Sequence, residues 1–417
     1  MTRIALLSFH TCPLAALGTR YAGGMNVHVL NLAKELGRQG VMVDVYSRVH
    51  LGMEGAITDL GENSRLIHIK AGPEQIDGEK LFRYLPQFVE SVSVFAHSER
   101  LRYDVVHSHF WLAAWAGSRL AWRWNVPHLV TFHTFGEVKL RAHHAHRESQ
   151  LRLREERQAV NVADHIVVFS PHERDMLWQH YGISPEDTSV VPCGVDLALF
   201  HPIDRSYARQ RIGLDTEDKV IIFVGRVEPL KGLELLLDTI ACMVDRRALR
   251  VLIVGGESDR DTALEPLKVR ANSLGLATCI QFVGAVNSEE MPLYYNAADL
   301  CVVPSYHESF GLVALEAMAC GIPVVAARVG GLQTLIQHGE TGYLVDCQRP
   351  EFYIEPIQNL LSNQGLASDM GRLGIISARN RTWMQVCRDI EEVYSKVLRS
   401  GVDNMRSPVM KAATDTI

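Results

Sequence analysis

Val220-Ile221-Ile222-Phe223-Val224-Gly225-Arg226-Val227-Glu228-Pro229-Leu230-Lys231-Gly232 reads as an apolar strand, a glycine turn and two cations five residues apart, with Pro229 placed to open a helix. A strand with no polar face has to be covered on both sides, which is the situation of a parallel sheet flanked by helices. A helical pattern follows at 230–241. Beyond it lie strand candidates at 250–254, 280–283, 300–303 and 323–326, with an apolar helix at 312–319. The first half alternates in the same way, with strands at 3–9, 41–46, 104–107, 128–131 and 165–169 and helices at 25–39, 112–122 and from Lys80 into the His97 region. Such alternation predicts an α/β fold, here two Rossmann-like, doubly wound parallel sheets. Pro192, Pro202 and the Gly194-Val195-Asp196 turn interrupt the pattern, so domains are expected at 1–195 and 196–382. Ligands bind beyond the carboxyl ends of parallel strands, which makes the cleft between two such sheets the expected site.

A chain of 417 residues is too long for one core. Its 42 Lys and Arg against 48 Asp and Glu leave a net charge of -6, which disfavours nucleic acid or an anionic membrane as the main partner. The apolar run at 4–9 is too short for a signal segment or a membrane span and suits a first buried strand. Eight scattered cysteines without a C-x-x-C read as reduced thiols, so a cytoplasmic protein with no integral membrane segment is expected. A homodimer is one of the assemblies left open. The stripe Val386, Ile390, Val393, Tyr394 and Val397 predicts a packed final helix, followed by a frayed tail at 401–417.

Three stretches carry chemistry. Beyond the end of the strand at 220–224, Arg226 and Lys231 are placed to neutralise a diphosphate. In His307-Glu308-Ser309-Phe310-Gly311-Leu312, a carboxylate precedes a helix whose free N–H groups at Ser309, Phe310 and Gly311 can face an anion. Eight residues on, Glu316 sits among Val313, Ala314, Leu315, Ala317 and Met318, where a charge is costly unless something hydrogen-bonds it; a ribose diol would. Were every intervening step helical, the two carboxylates would lie about 12 Å apart. The plainer reading is a capping glutamate and a core ion pair. In the third stretch, Gly23 and Gly24 allow a ligand close to the backbone, and Asn26 offers a hydrogen bond. The plainer reading there is a loop-to-helix cap. The stretch is not G-x-G-x-x-G, so the nicotinamide or flavin fingerprint is absent.

His107, His109, His133 and the group His143, His144 and His146 have no Cys or carboxylate companions at ligand spacing, so no metal is assigned. His133, at a strand end, is read as a contact to substrate hydroxyls. Arg152, on a mixed-charge helix, reads as surface by default.

Taken together, Gly23-Gly24, Gly225-Arg226 with Lys231-Gly232, Gly194-Val195-Asp196 and the Glu308 to Glu316 segment resemble a retaining glycosyltransferase of family 4, over nearly the whole chain. The resemblance implies the GT-B architecture, two such domains facing across a cleft, with the final helix at 383–400 packing back on the first. It implies a nucleotide-sugar donor, UDP by resemblance, and no cofactor or essential divalent metal. Glu308 would contact the transferred sugar, Glu316 the ribose, and Arg226 and Lys231 the diphosphate. Gly23, Gly24, Val286, Ser309, Phe310, Gly311 and Leu312 complete the implied donor site, and His133 positions a sugar hydroxyl. Within the family the chain is most similar to the subgroup that acts on inositol 3-phosphate, with the sucrose-phosphate synthase subgroup adjacent. That assigns the acceptor phosphate to Asn26, Lys80, Thr134 and Arg152. Phe110 departs from the inositol-phosphate pattern, which has tyrosine there; a phenyl ring cannot donate to phosphate. The rival readings are an epimerase or hydrolase on the same scaffold and a non-catalytic nucleotide-sugar-binding protein.

Overall fold

Ile4, Ala5, Leu6 and Leu7 are fully shielded from solvent, and so are Val220, Ile221 and Ile222, so each half of the chain is built round one apolar strand. Each such Leu or Ile contributes about 2 kcal/mol by burial. The computed structural model describes residues 2–15, 23–49, 57–74, 76, 78–143, 147–246, 248–256 and 264–403.

The first half holds β1 (Arg3–Ser8), β2 (Met42–Arg48), β3 (Ile57–Gly61), β4 (Ser64–Ile69), β5 (Val105–His109), β6 (His128–Thr131), β7 (His165–Val168) and β8 (Thr188–Val190). They form one sheet in the order β3-β4-β2-β1-β5-β6-β7-β8, in which only the β3–β4 pair is antiparallel. The second half holds β9 (Lys219–Val224), β10 (Leu249–Val254), β11 (Ile280–Gly284), β12 (Leu300–Val303), β13 (Val324–Ala327) and β14 (Gly342–Val345), an all-parallel sheet in the order β11-β10-β9-β12-β13-β14. In both sheets the chain first builds outward on one side and then on the other. The direction reverses between β1 and β5 and again between β9 and β12, and such switch points open a crevice at the strands' carboxyl ends.

The last helix, Trp383–Asp403, leaves the second sheet and packs on the helix Gly24–Arg38 of the first half. Its predicted stripe is buried, and Tyr394 is hydrogen-bonded to His107 Nδ1 at 2.8 Å. The helix runs three residues into the expected tail; positions 404–417 lie outside the described residues.

Two predicted helices are corrected. The helix expected from Lys80 is a 3-10 segment, Gly78–Tyr84, followed by the helix Leu85–Ser98, because Pro86 has no N–H for a continuing helix. The one at 230–241 is a single 3-10 turn, Pro229–Lys231, then Leu233–Cys242. Gly232 breaks it at φ 71°, where a Cβ would come 2.1 Å from the Pro304 carbonyl oxygen.

Candidate active site

Both switch points carry the residues singled out from sequence. Gly23 opens the helix after β1, and Arg226 follows β9. A Cβ on Gly23 would lie 3.6 Å from Arg226 Nε, and one on Gly24 would lie 3.1 Å from Leu312 Cδ1. The glycine turn of the first half therefore rests against the cation and the donor-loop helix of the second. Asn26 is buried and its amide bonds are internal: Oδ1 accepts from Gly23 N at 3.0 Å, and Nδ2 donates to Thr11 Oγ1 at 2.9 Å and to the Cys12 carbonyl at 2.6 Å. That geometry favours the capping reading of Asn26.

On the second half, Lys231 Nζ donates to Glu308 Oε2 at 2.7 Å, and Arg226 Nη2 to Glu228 Oε1 at 2.9 Å. The four side chains are only partly exposed, so cations and carboxylates are held at the rim of the crevice. Glu308 begins a turn that is not helical: Gly311 has φ 99°, and the helix spans only Leu312–Ala319. The separation expected for an all-helical segment is corrected accordingly. The turn sits on Gly330 and Gly331, whose N–H (Gly331) donates to the Glu308 carbonyl at 2.9 Å. A Cβ on Gly330 would come 1.8 Å from that oxygen. Glu316 is half-buried and accepts from the Tyr295 hydroxyl at 2.8 Å; burial pushes its carboxyl up to about 7. Val286, placed by resemblance in the donor site, follows β11 and packs partly buried against the core.

Across the crevice, Phe110 and His133 end the adjacent strands β5 and β6 with positive φ, 79° and 62°, which side chains other than glycine rarely adopt. Such strain is retained where the surroundings enforce it, and it concentrates at functional sites. His133 Nε2 meets His109 Nδ1 at 2.9 Å, and its carbonyl accepts from Ser309 Oγ of the second half at 2.5 Å. Burial holds His133 well below its usual pKa, so its ring is neutral. His107 is buried between Tyr394 and Thr131 Oγ1 rather than facing the crevice. Among the described residues no three His, Cys, Asp or Glu side chains gather as metal ligands, and His144 and His146 lie outside those residues.

Arg152 is not a surface residue. It is 6 % exposed, donates to Glu148 Oε1 at 2.8 Å and Glu156 Oε2 at 3.4 Å, and donates to Thr134 Oγ1 and its carbonyl at 3.2 Å. The guanidinium carbon is 5.0 Å from the centre of the Phe110 ring, and the His10 ring lies tilted against it with centroids 4.3 Å apart. Thr134, Arg152 and Phe110 thus form one wall. Lys80 is exposed on the 3-10 segment, whose Phe82 stacks 5.9 Å from Trp111, the residue after Phe110.

Sequence reading missed Lys139, Tyr295, Glu148 and Glu156. Lys139 Nζ lies 3.5 Å from Glu148 Oε1, and burial, with Arg152 and Arg226 nearby, lowers its pKa. The i, i+4 spacing of Glu148, Arg152 and Glu156 was a visible signal; Tyr295 had none.

Two doubly wound sheets with facing switch points constitute the GT-B architecture. The chain matches the model of Glycosyltransferase Family 4 over residues 22–199 and that of Glycosyl transferases group 1 over residues 204–375. It is 40% identical over 405 residues to D-inositol 3-phosphate glycosyltransferase of Corynebacterium diphtheriae, covering 94% of each chain. Among solved structures it is similar to sucrose-phosphate synthase from Thermosynechococcus elongatus, with TM-score 0.88 and 32% identity over 96% of this chain and 100% of that one. An Anabaena protein solved with UDP-glucose shares the fold, with TM-score 0.73 and 22% identity over 95% of this chain and 100% of that one. The protein belongs to the family 4 glycosyltransferases.

Proposed function

We propose that the protein transfers a hexose, with retention, from a UDP-sugar to a small phosphorylated polyol such as inositol 3-phosphate. The observation that carries this is the juxtaposition of the two switch points: Gly23 against Arg226, and Ser309 against the His133 carbonyl. A nucleotide sugar laid along the second half puts its ribose by Glu316, its diphosphate by Arg226 and Lys231, and its sugar by Glu308 and His133. As the sugar–phosphate bond breaks, charge grows on the diphosphate, and cations already fixed beside it stabilise that charge without reorganising. In this reading no divalent metal is essential. Lys231 changes partner from Glu308 to phosphate. The neutral His133 ring serves as a hydrogen-bonding group rather than a cation, and the acceptor attacks from the face the diphosphate leaves. Thr134, Arg152, Lys80 and Lys139 line the side from which a phosphorylated acceptor enters. The named activity of the Corynebacterium relative supports inositol 3-phosphate. Phe110 and the likeness to sucrose-phosphate synthase support a second reading, a sugar phosphate such as fructose 6-phosphate. We also place the protein in the cytoplasm; its cysteines are unpaired, and no described helix is long and apolar enough to cross a membrane.

The test is incubation with UDP-glucose and UDP-N-acetylglucosamine, each with either acceptor, followed by mass spectrometry and the anomeric proton coupling by NMR. A phosphorylated α-glycoside and UDP are expected. Free sugar, an epimer, or a β-glycoside would overturn the reading.

A further inference from the structure

His109 is the last residue of β5, one position before Phe110, and is fully shielded from solvent. Its Nδ1 lies 2.9 Å from Nε2 of His133, just beyond the end of the neighbouring β6, while its own Nε2 is buried with no hydrogen-bond partner among the described residues. The rings packed round it supply none. His107, with ring centroids 4.5 Å away, has both nitrogens engaged, by Tyr394 at 2.8 Å and Thr131 at 2.9 Å. His28, 5.7 Å away, turns Nδ1 to Cys193 Sγ at 3.5 Å, and its Nε2 is likewise buried without a partner.

That one unpartnered atom decides where the protons sit. The bond between the two rings holds a single proton, given by one imidazole nitrogen to the other. If His133 gave it, His109 Nδ1 would be the acceptor, and the proton of His109 would have to lie on Nε2, buried with nothing to receive it. A doubly protonated His109 puts a proton on the same atom, and a doubly protonated His133 forces the first case. Buried N–H groups without an acceptor are rarer than buried acceptors without a donor. The arrangement that keeps Nε2 bare has both rings neutral, each with its proton on Nδ1. Burial acts in the same direction, holding both rings well below their usual pKa.

We propose that His109 is a positioning residue for sugar transfer: its Nδ1–H donates to His133 Nε2, which fixes the plane and the tautomer of that ring, so that His133 offers the substrate an N–H donor at Nδ1. Which nitrogen of a histidine carries the proton is set by the bond the other one makes. Nδ1 of His133 bonds to no described residue, and His133 is half-buried at the crevice, so this is the atom left for a ligand. A sugar hydroxyl is then held through its oxygen. With no bare nitrogen toward the substrate, the ring cannot take a proton from the acceptor, so His133 orients the sugar and is not the general base. The residue is held from two sides, its carbonyl by Ser309 at 2.5 Å and its imidazole by His109.

The role in transfer rests on the transferase reading; the tautomer does not, and two experiments keep them apart. In protein with isotope-labelled histidine nitrogens, NMR at pH 7 reads which ring atoms carry protons, and His133→Gln and His109→Asn identify the two signals by their loss. A proton on Nδ1 and a bare Nε2 are expected in both rings. A proton on Nε2 of either ring would overturn the proposal, even if the wild type transferred no sugar. In the transfer assay, His109→Phe keeps a ring but loses the donor, and kcat is expected to fall about 10- to 100-fold with KM for the donor little changed. His109→Asn puts an amide N–H where Nδ1 stood and should recover most of that loss. Wild-type kcat in folded His109→Phe, or no recovery in folded His109→Asn, would overturn the positioning role. The tautomer is read in the wild type, so the test stands whether or not His109→Phe folds.

Discussion

Acidification should weaken the grip on the nucleotide through one carboxyl. Glu316 accepts from Tyr295 at 2.8 Å, and burial pushes it up to about 7. A ribose diol has two hydrogen bonds to donate, and the carboxylate accepts both more strongly than the neutral acid does, so binding favours the charged form and expels the proton. The sign follows: the folded, unliganded carboxyl is raised, so donor affinity is full above about pH 7 and is lost as the pH falls below it. With half-ionisation at about 7, roughly nine tenths is carboxylate at pH 8 and one tenth at pH 6. Affinity should therefore fall about tenfold from pH 8 to pH 6, about 1.4 kcal/mol. Titration calorimetry with UDP-glucose is the assay, because its diphosphate, esterified at both ends, has no group ionising in that range. Two buffers with different ionisation heats would count the released proton. Glu316→Gln should bind weakly and without slope. An affinity that is flat or rises toward pH 6 would refute the assignment.

Other perturbations test the remaining parts. Lys231→Ala removes a cation that faces Glu308 at 2.7 Å, and kcat should drop about 10²- to 10³-fold, with circular dichroism unchanged. Gly330→Ala forces a Cβ to within 1.8 Å of the Glu308 carbonyl oxygen at φ 47°, so both the melting temperature and donor affinity should fall. Tyr394→Phe strips His107 Nδ1 of its partner in a buried site, costing about 1–3 kcal/mol. Its signature is a lower melting temperature with unchanged kcat, since the bond lies away from the crevice.

The fold was legible because each sheet is built on uninterrupted apolar runs. The segments at 128–131, 300–303 and 312–319 match β6, β12 and the donor-loop helix end to end. What escaped was marked by weak periodicity. The β3–β4 hairpin has a mostly exposed first strand and turns through Asn63 at φ 53°. Helices such as Pro350–Ser362, with a proline inside, carry a mixed pattern. At the site, glycines, cations and carboxylates after strand ends were readable because chain direction alone puts them beside the crevice. The partners that tune them were not. Tyr295 reaches Glu316 from another helix, a contact that only tertiary packing creates. Arg152 looked like surface because a helix rich in Arg and Glu usually is; here both of its carboxylate partners turn inward with it.

The central claim is that cations and carboxylates of the second half hold an activated sugar in the gap between the sheets. A crystal structure with a bound UDP-sugar tests it most directly. Diphosphate oxygens should lie within about 3.2 Å of both Arg226 and Lys231, with ribose hydroxyls on Glu316. A nucleotide seated elsewhere, or one whose diphosphate touches neither cation, would contradict it.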